Sequence, residues 1–184
     1  MTITGAILRN AVIYAAQLIT SHRQEIDALN VFPVPDGDTG TNMSMTITNA
    51  SREVRVKDDS ESVSAVASCV ASGLLRGARG NSGVILSLIF RGISKGLKGL
   101  DEADGAAIAS ALEHGSSSAY KAVMKPTEGT ILTVIRTASE YARKAVNDGE
   151  TDAVKVFDIG LEGRESRPCR HAEYPPRAQK SRRR

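Results

Sequence analysis

The stretch Asn30-Val31-Phe32-Pro33-Val34-Pro35-Asp36-Gly37-Asp38-Thr39-Gly40-Thr41-Asn42-Met43 sets the interpretation of this chain. Its two prolines lack a backbone N–H and favour extended geometry in the residues before them. A helical pattern resumes at Thr39, so Asp36 and Asp38 lie in a loop that leads into a helix. Carboxylate oxygens suit a hard cation such as Mg²⁺, and a helix N-terminus favours an anion. The stretch therefore predicts a metal and phosphate site, with an ordinary Asp-Gly turn as the alternative.

Apolar residues recur at three- and four-residue spacing on both sides of this loop, which is typical of amphipathic helices. The pattern predicts helices over residues 4–19, 39–54, 62–75, 81–97, 106–123, 131–145 and from 151 to about 160, with a short helical turn around residues 26–29. No segment alternates as a strand would. Short connections between successive helices favour antiparallel neighbours. We therefore predict an all-α fold, an antiparallel up-and-down helical barrel or bundle.

Two further loops resemble the first in preceding a helix. Gly77-Ala78-Arg79-Gly80-Asn81-Ser82-Gly83 is a glycine-rich turn that could approach a phosphate, or a plain helix–helix turn with an Asn or Ser N-cap. Pro126-Thr127-Glu128-Gly129-Thr130 could admit a flat ligand, or could be a helix start capped by Thr127. All three loops precede alternate helices, so an up-and-down arrangement brings them to one rim.

Composition and charge exclude several functional classes. The chain has 41% hydrophobic and 4% aromatic residues and no Trp, which predicts an aliphatic core. It lacks an apolar run long enough to span a bilayer and a secretion signal, and Cys69 and Cys169 do not form a disulfide framework. We expect a cytoplasmic protein. The net charge of +3 arises from residues 160–184, which carry eight Lys or Arg and three Glu. The remainder is mildly acidic, so we expect no nucleic-acid partner.

The three loop motifs together resemble the nucleotide-binding domain of the dihydroxyacetone kinase L-subunit (DhaL) superfamily. The resemblance rests on residues 29–43, 77–87 and 125–132, and it extends over roughly residues 2–156. The amino-acid sequences of these motifs most resemble those of the kinase domain of bacterial fatty acid kinase A subunits. This family resemblance implies an eight-helix barrel that holds ATP and two Mg²⁺ ions at one rim.

The resemblance also implies roles for individual residues. Asp36 and Asp38 would hold the metal ions and act in catalysis, with Asn30 as a further ligand or a neighbour of one. Thr39 stands where dihydroxyacetone kinase subunits often have His. The residues expected to contact the nucleotide are Thr39, Thr41, Asn42, Gly80, Asn81, Ser82, Gly83, Gly129 and Thr130. The implied reaction is phosphorylation of a fatty acid carboxylate presented by a separate DegV-like binding protein, and the family permits a homodimer.

The C-terminal part departs from the family pattern. In the family, an Asp-Ala-Gly-Gly loop closes the nucleotide site, and this chain lacks that loop. The helical periodicity of this chain ends near Gly160. We therefore divide the chain into a DhaL-like domain, residues 1–158, and a basic tail, residues 159–184, that is disordered or frameshifted, with the last helix or two missing or altered. Two alternatives to the fatty acid kinase function remain. One is the L-type subunit of a dihydroxyacetone (glycerone) kinase, and the other is an inactive truncated ATP-binding module.

Overall fold

The computed structural model describes residues 1–30 and 35–163, and these residues form eight helices. The helices are α1 (Gly5–Ser21), α2 (Arg23–Leu29), α3 (Thr39–Val54), α4 (Val63–Gly77), α5 (Gly80–Gly96), α6 (Gly105–Ala122), α7 (Ile131–Asn147) and α8 (Ala153–Glu162). The described part contains no strand, only an isolated bridge between Ile3 and Ala103. The predicted all-α class is confirmed. Within the same residues, no helix is long and apolar enough to cross a membrane.

Side-chain caps fix where five of these helices begin. The side chains of Thr4, Ser62, Asp104, Thr130 and Asp152 each accept a backbone N–H in the first turn of the helix that follows. Such caps satisfy donors that have no partner inside the helix. The cap of α7 is Thr130, so the expectation that Thr127 caps this helix is wrong. The hydroxyl of Thr130 also donates to the Thr127 carbonyl, 2.8 Å away, which closes the turn before the helix.

The core is aliphatic and has two parts. One is built on α5–α8 and includes Leu97, Ala109 and Val156, whereas the other is built on α1, α3 and α4 and includes Val54 and Leu74. Ile131 at the start of α7 packs against both. Small residues let neighbouring helices approach closely: a Cβ on Gly92 of α5 would lie 2.2 Å from the His114 carbonyl oxygen of α6.

Cross-helix contacts establish the antiparallel order. Gly92 meets His114 and Gly115 while Gly96 meets Ala111, so α5 and α6 run in opposite directions. Arg143 pairs with Glu113 while Arg136 contacts Tyr120, so α6 and α7 are also antiparallel. The N-termini of α5 and α7 therefore lie at the same end of the molecule, which we call the rim.

The opposite end is held together by the backbone. Val63 donates its N–H to the Asp101 carbonyl, Gly105 donates to Thr151, and Ala153 donates to Met1. The molecule thus has one end where backbone hydrogen bonds join the loops. The loops singled out from the sequence lie at the other end, the rim.

The predicted boundary at residue 158 remains a prediction. Helix α8 continues beyond it to Glu162. The expected tail, residues 159–184, falls mostly on residues 164–184, which lie outside the described part of the chain.

Candidate nucleotide and metal site

The start of α3 is capped by a residue from another helix. The carboxylate of Asp27 in α2 accepts the backbone N–H of Thr41 at 3.0 Å and the Thr41 hydroxyl at 2.8 Å. The backbone N–H of Thr41, joined by the hydroxyl, holds the pKa of the Asp27 carboxyl below its ordinary value. Asp27 was not among the residues singled out from the sequence, because a carboxylate 14 residues before its partner Thr41 gives no local signal.

Because Asp27 serves as the cap, the two acidic residues of the loop are left free. Asp38 precedes α3 but makes no capping hydrogen bond with its side chain. Both Asp36 and Asp38 are exposed, and neither forms a salt bridge or hydrogen bond through its carboxylate with another described residue. Gly37 between them has φ +65°, the left-handed region that glycine tolerates. The loop thus presents two unpartnered carboxylates beside a helix start.

Asn30 and Thr39 join the two sides of this loop. The Thr39 hydroxyl donates to the Asn30 side-chain oxygen in a short hydrogen bond. The Ser82 hydroxyl of α5 lies 3.4 Å from the Thr39 oxygen and donates to it. Three of the residues expected at the site, which come from two separate motifs, therefore lie in one chain of hydrogen bonds.

The start of α5 lies directly against α3. Gly80 has φ +58°, and a Cβ built on it would lie 2.4 Å from the side-chain nitrogen of Asn42. A Cβ on Gly83 would lie 2.3 Å from the Thr46 hydroxyl. Glycine is thus required at both positions for close contact with α3.

The first turn of α5 has no side-chain cap. Arg79 is the N-cap residue and makes no capping bond with its side chain, so the expectation of an Asn or Ser cap is wrong. Instead, the Arg79 N–H donates to the buried Thr46 hydroxyl at 3.1 Å. Within the described residues, no side chain accepts from the N–H groups of Gly80, Asn81 or Ser82. Exposed N–H groups at a helix N-terminus attract an anion such as a phosphate.

The third loop is ordered by its own network. Glu128 accepts hydrogen bonds from the Thr133 hydroxyl at 2.8 Å, from Arg136 at 2.8 Å and from the Tyr120 hydroxyl at 3.2 Å. The Gly129 N–H donates to the Thr133 hydroxyl at 2.8 Å, and Gly129 has φ +80° with no atom within 4 Å of a built Cβ. Hydrogen bonding to Arg136, then to Thr133, lowers the pKa of Glu128. Glu128 and Arg136 are structural residues that the sequence interpretation missed.

Among the described residues, hydrogen bonds join the first loop to the second but neither of them to the third. The Asn30–Thr39–Ser82 bonds and the Asn42–Gly80 contact join the first two loops. Gly129 and Thr130 bond only to neighbours in their own turn among the described residues. Helix direction places them at the same end of the molecule as Gly80, on the far side of α6.

The donor set fits Mg²⁺ chemically. Asp36 and Asp38 supply free carboxylate oxygens and Asn30 an amide oxygen, and such hard oxygen ligands are those that Mg²⁺ takes together with phosphate and water. Among the described residues, no group of three or more His, Cys, Asp or Glu side chains forms a closed metal cage. Two carboxylates beside a helix start are compatible with an open arrangement in which substrate oxygens would complete the coordination shell.

The chain is similar in sequence to several known proteins. The profile of the DAK2 domain matches residues 33–166. Protein YloV of Bacillus subtilis (strain 168) is 44% identical over 175 residues, which is 95% of this chain and 31% of that protein. Uncharacterized protein SH1689 of Staphylococcus haemolyticus is 46% identical over 161 residues, or 86% of this chain and 28% of that protein. The chain thus spans less than a third of the length of these relatives.

Proposed function

Because the chain belongs to the DAK2 domain family, which comprises DhaL-type kinase subunits, we propose that its rim binds ATP with Mg²⁺ and transfers the γ-phosphoryl group. One observation carries the proposal. Two free carboxylates, Asp36 and Asp38, lie on the loop before α3, and that loop is hydrogen-bonded through Thr39 and Ser82 to the uncapped first turn of α5. A metal-binding corner and a phosphate-binding helix start therefore adjoin.

Each site residue has a physical task in this proposal. Asp36 and Asp38, with Asn30, hold up to two Mg²⁺ ions, which neutralise charge on the phosphate oxygens. The N–H groups of Gly80, Asn81 and Ser82 contact the phosphate chain, and Gly83, whose N–H bonds to the Arg79 carbonyl, ends this first turn. Thr39, Thr41 and Asn42 line the α3 side of it, and Gly129 and Thr130 lie beside the nucleoside. Because the protein forms no bond to the phosphoryl group, its contribution is to position the reactants and stabilise their charge.

The proposed acceptor is a fatty acid carboxylate carried by a separate DegV-like protein. An oxygen of the carboxylate attacks the γ-phosphorus, the bond to ADP breaks, and an acyl phosphate forms. This finer assignment is supported by the resemblance of the loop motifs to fatty acid kinase A subunits. Thr39 in the position where dihydroxyacetone kinase subunits often have His favours it over the glycerone kinase alternative.

Calorimetry tests the nucleotide assignment. ATP should bind the purified chain only with Mg²⁺ present, and Asp38→Ala should abolish this Mg²⁺-dependent binding. Binding that ignores both the metal and the substitution contradicts the proposal. The acceptor is tested separately, by supplying ATP with a fatty-acid-loaded DegV-like protein and trapping acyl phosphate with hydroxylamine. Hydroxamate formation supports a fatty acid as the acceptor. Phosphoryl transfer only to dihydroxyacetone bound to a separate dihydroxyacetone-binding subunit supports the glycerone kinase alternative.

A further inference from the structure

A basic cleft lies between α5 and α6, on a part of the surface that the rim does not use. It has a volume of about 310 Å³ and is lined chiefly by Arg91, Lys95, His114, Ser117, Ser118 and Lys121. Arg91 is eleven residues from the start of α5, about 16 Å along the helix at 1.5 Å per residue. No residue of the turn at Gly80 lines the cleft, which extends toward the rim only at Lys121 and Ala122 in the last turn of α6.

Helix geometry brings these side chains together. Residues 114, 117, 118 and 121 repeat at three and four on α6, so they share one face, and Arg91 and Lys95 are one turn apart on α5. The two backbones approach closely here, because Gly92 and Gly96 leave no room for a Cβ against α6. Both rows of side chains are thereby held on either side of one narrow groove.

The cleft carries uncompensated positive charge. No Asp or Glu lines it, and among the described residues Arg91, Lys95 and Lys121 form no salt bridge. The acidic side chains of α6 and α7, Glu113 and Glu140, are paired with Arg143 and Arg136, respectively. Three neighbouring exposed cations repel one another, and an anion between them reduces this repulsion.

The other groups in the cleft can form directional contacts with an anion. Ser117 and Ser118 supply hydroxyl donors. His114 donates its Nδ1–H to the Ser110 carbonyl at 2.8 Å, which orients the ring at the edge of the cleft. Hydroxyls among cations match a tetrahedral oxyanion with several acceptor oxygens.

We propose that the cleft between α5 and α6 binds a phosphate group, either of a small phosphorylated molecule or of a lipid headgroup. The proposal is independent of the nucleotide rim, since none of the residues assigned to the rim lines the cleft. Positive charge, hydroxyl donors and a concave shape about the size of a small ligand coincide there.

Amide NMR tests the proposal with inorganic phosphate as the probe, at ionic strength held constant with sodium chloride. Saturable shifts are expected at the amides around Arg91, Lys95 and His114–Lys121. The triple variant Arg91→Gln, Lys95→Gln, Lys121→Gln should weaken phosphate binding by about tenfold or more, since each substitution removes a close charge. Exposed side chains make the variant compatible with folding, which circular dichroism verifies.

The matched control is Arg52→Gln, Arg55→Gln, Lys98→Gln, which removes the same charge from exposed positions outside the cleft. The control variant should bind phosphate with an affinity within about twofold of that of the unmodified protein. Equal weakening in both variants, shifts reproduced by chloride alone, or no shift at the cleft would each overturn the proposal. Phosphatidylglycerol vesicles, compared with phosphatidylcholine vesicles, separate the sources. If the unmodified protein sediments with phosphatidylglycerol vesicles and the cleft variant does not, the ligand is a lipid headgroup. If phosphate shifts the cleft amides but the protein does not sediment with the vesicles, the ligand is a small phosphorylated molecule.

Discussion

The Thr46 hydroxyl of α3 accepts the backbone N–H of Arg79, 3.1 Å away, at the residue that precedes α5. The same hydroxyl donates to the Asn42 carbonyl at 2.7 Å, and the residue is fully buried. Gly83 lies against it one turn into α5. One side chain thus connects two of the predicted phosphate-binding segments and determines where α5 begins relative to α3.

Replacing Thr46 by Val should loosen the start of α5. Valine keeps the shape but cannot accept the Arg79 N–H, so unfolding free energy should fall by about 1 kcal/mol. Nucleotide affinity, measured by calorimetry, should fall as well because the first turn of α5 is no longer fixed. Thr46→Ser keeps the hydroxyl and is the control for the hydrogen bond. If Val and Ser variants bind nucleotide equally well, the bond does not position the site.

Alanine at Gly80 should impair binding more than folding. Gly80 and Gly99 both have positive φ, so alanine at either position should lower stability by about 1–2 kcal/mol. A Cβ at Gly99 meets nothing within 4 Å, whereas at Gly80 it displaces the Asn42 side chain. We therefore expect similar urea midpoints for Gly80→Ala and Gly99→Ala but a loss of nucleotide affinity only in the first. Equal affinity in the two variants would show that Asn42 does not contact the ligand.

Neutralising the loop carboxylates should remove metal dependence without loss of stability. Asp36 and Asp38 are exposed and unpartnered, so Asp36→Asn and Asp38→Asn should leave the melting temperature unchanged in the absence of ligand. Mg²⁺-dependent ATP binding should be lost in both. Asp158→Asn, at an exposed position of α8, is the charge-matched control and should bind as the unmodified chain does. Retained Mg²⁺ dependence in both loop variants would exclude these carboxylates as ligands.

Much of the fold could be predicted from the sequence because its helices have strong local signals. Apolar spacing identified each long helix, and the predicted span 39–54 matches α3. Gly80, Gly83 and Asn42 were singled out from the sequence as nucleotide-binding residues, and that role stays a prediction. Their mutual contact was not predicted, because it depends on how α3 packs on α5 and not on either motif alone.

The supporting residues escaped sequence interpretation for a related reason. Asp27, Thr46 and Arg136 act on backbone or side-chain groups that become neighbours only after α2, α3, α6 and α7 have packed. A buried Thr in a helix is ordinarily taken as part of the core, and an Asp in a seven-residue helix as a surface residue. Their roles are tertiary, so no spacing rule within one segment indicates them.

The Glu128–Arg136 pair should matter for the third loop and little for the fold. Glu128→Gln keeps the shape but weakens the bond to Arg136, so the Gly129 turn should become mobile and nucleotide affinity should fall. Glu113→Gln disrupts a comparable pair with Arg143 between α6 and α7, away from the rim turns. It should cost less than about 1 kcal/mol of stability and leave affinity unchanged. A fall in affinity for Glu113→Gln but not for Glu128→Gln would contradict this assignment.

Stability should depend on pH through Asp27. Its carboxyl has a folded-state pKa below the ordinary 3.8, because the Thr41 N–H and hydroxyl stabilise the charged form. A lowered folded-state pKa stabilises the protein above the unfolded pKa, and this stabilisation is lost as pH falls through the folded pKa. Melting temperatures should therefore decline below about pH 4, and Asp27→Asn should remove part of that decline while lowering stability at pH 7. Asp158→Asn, whose carboxylate has no partner among the described residues, should leave the profile unchanged. If Asp27→Asn preserves both the neutral-pH stability and the acid decline, the α3 cap is not the source of either.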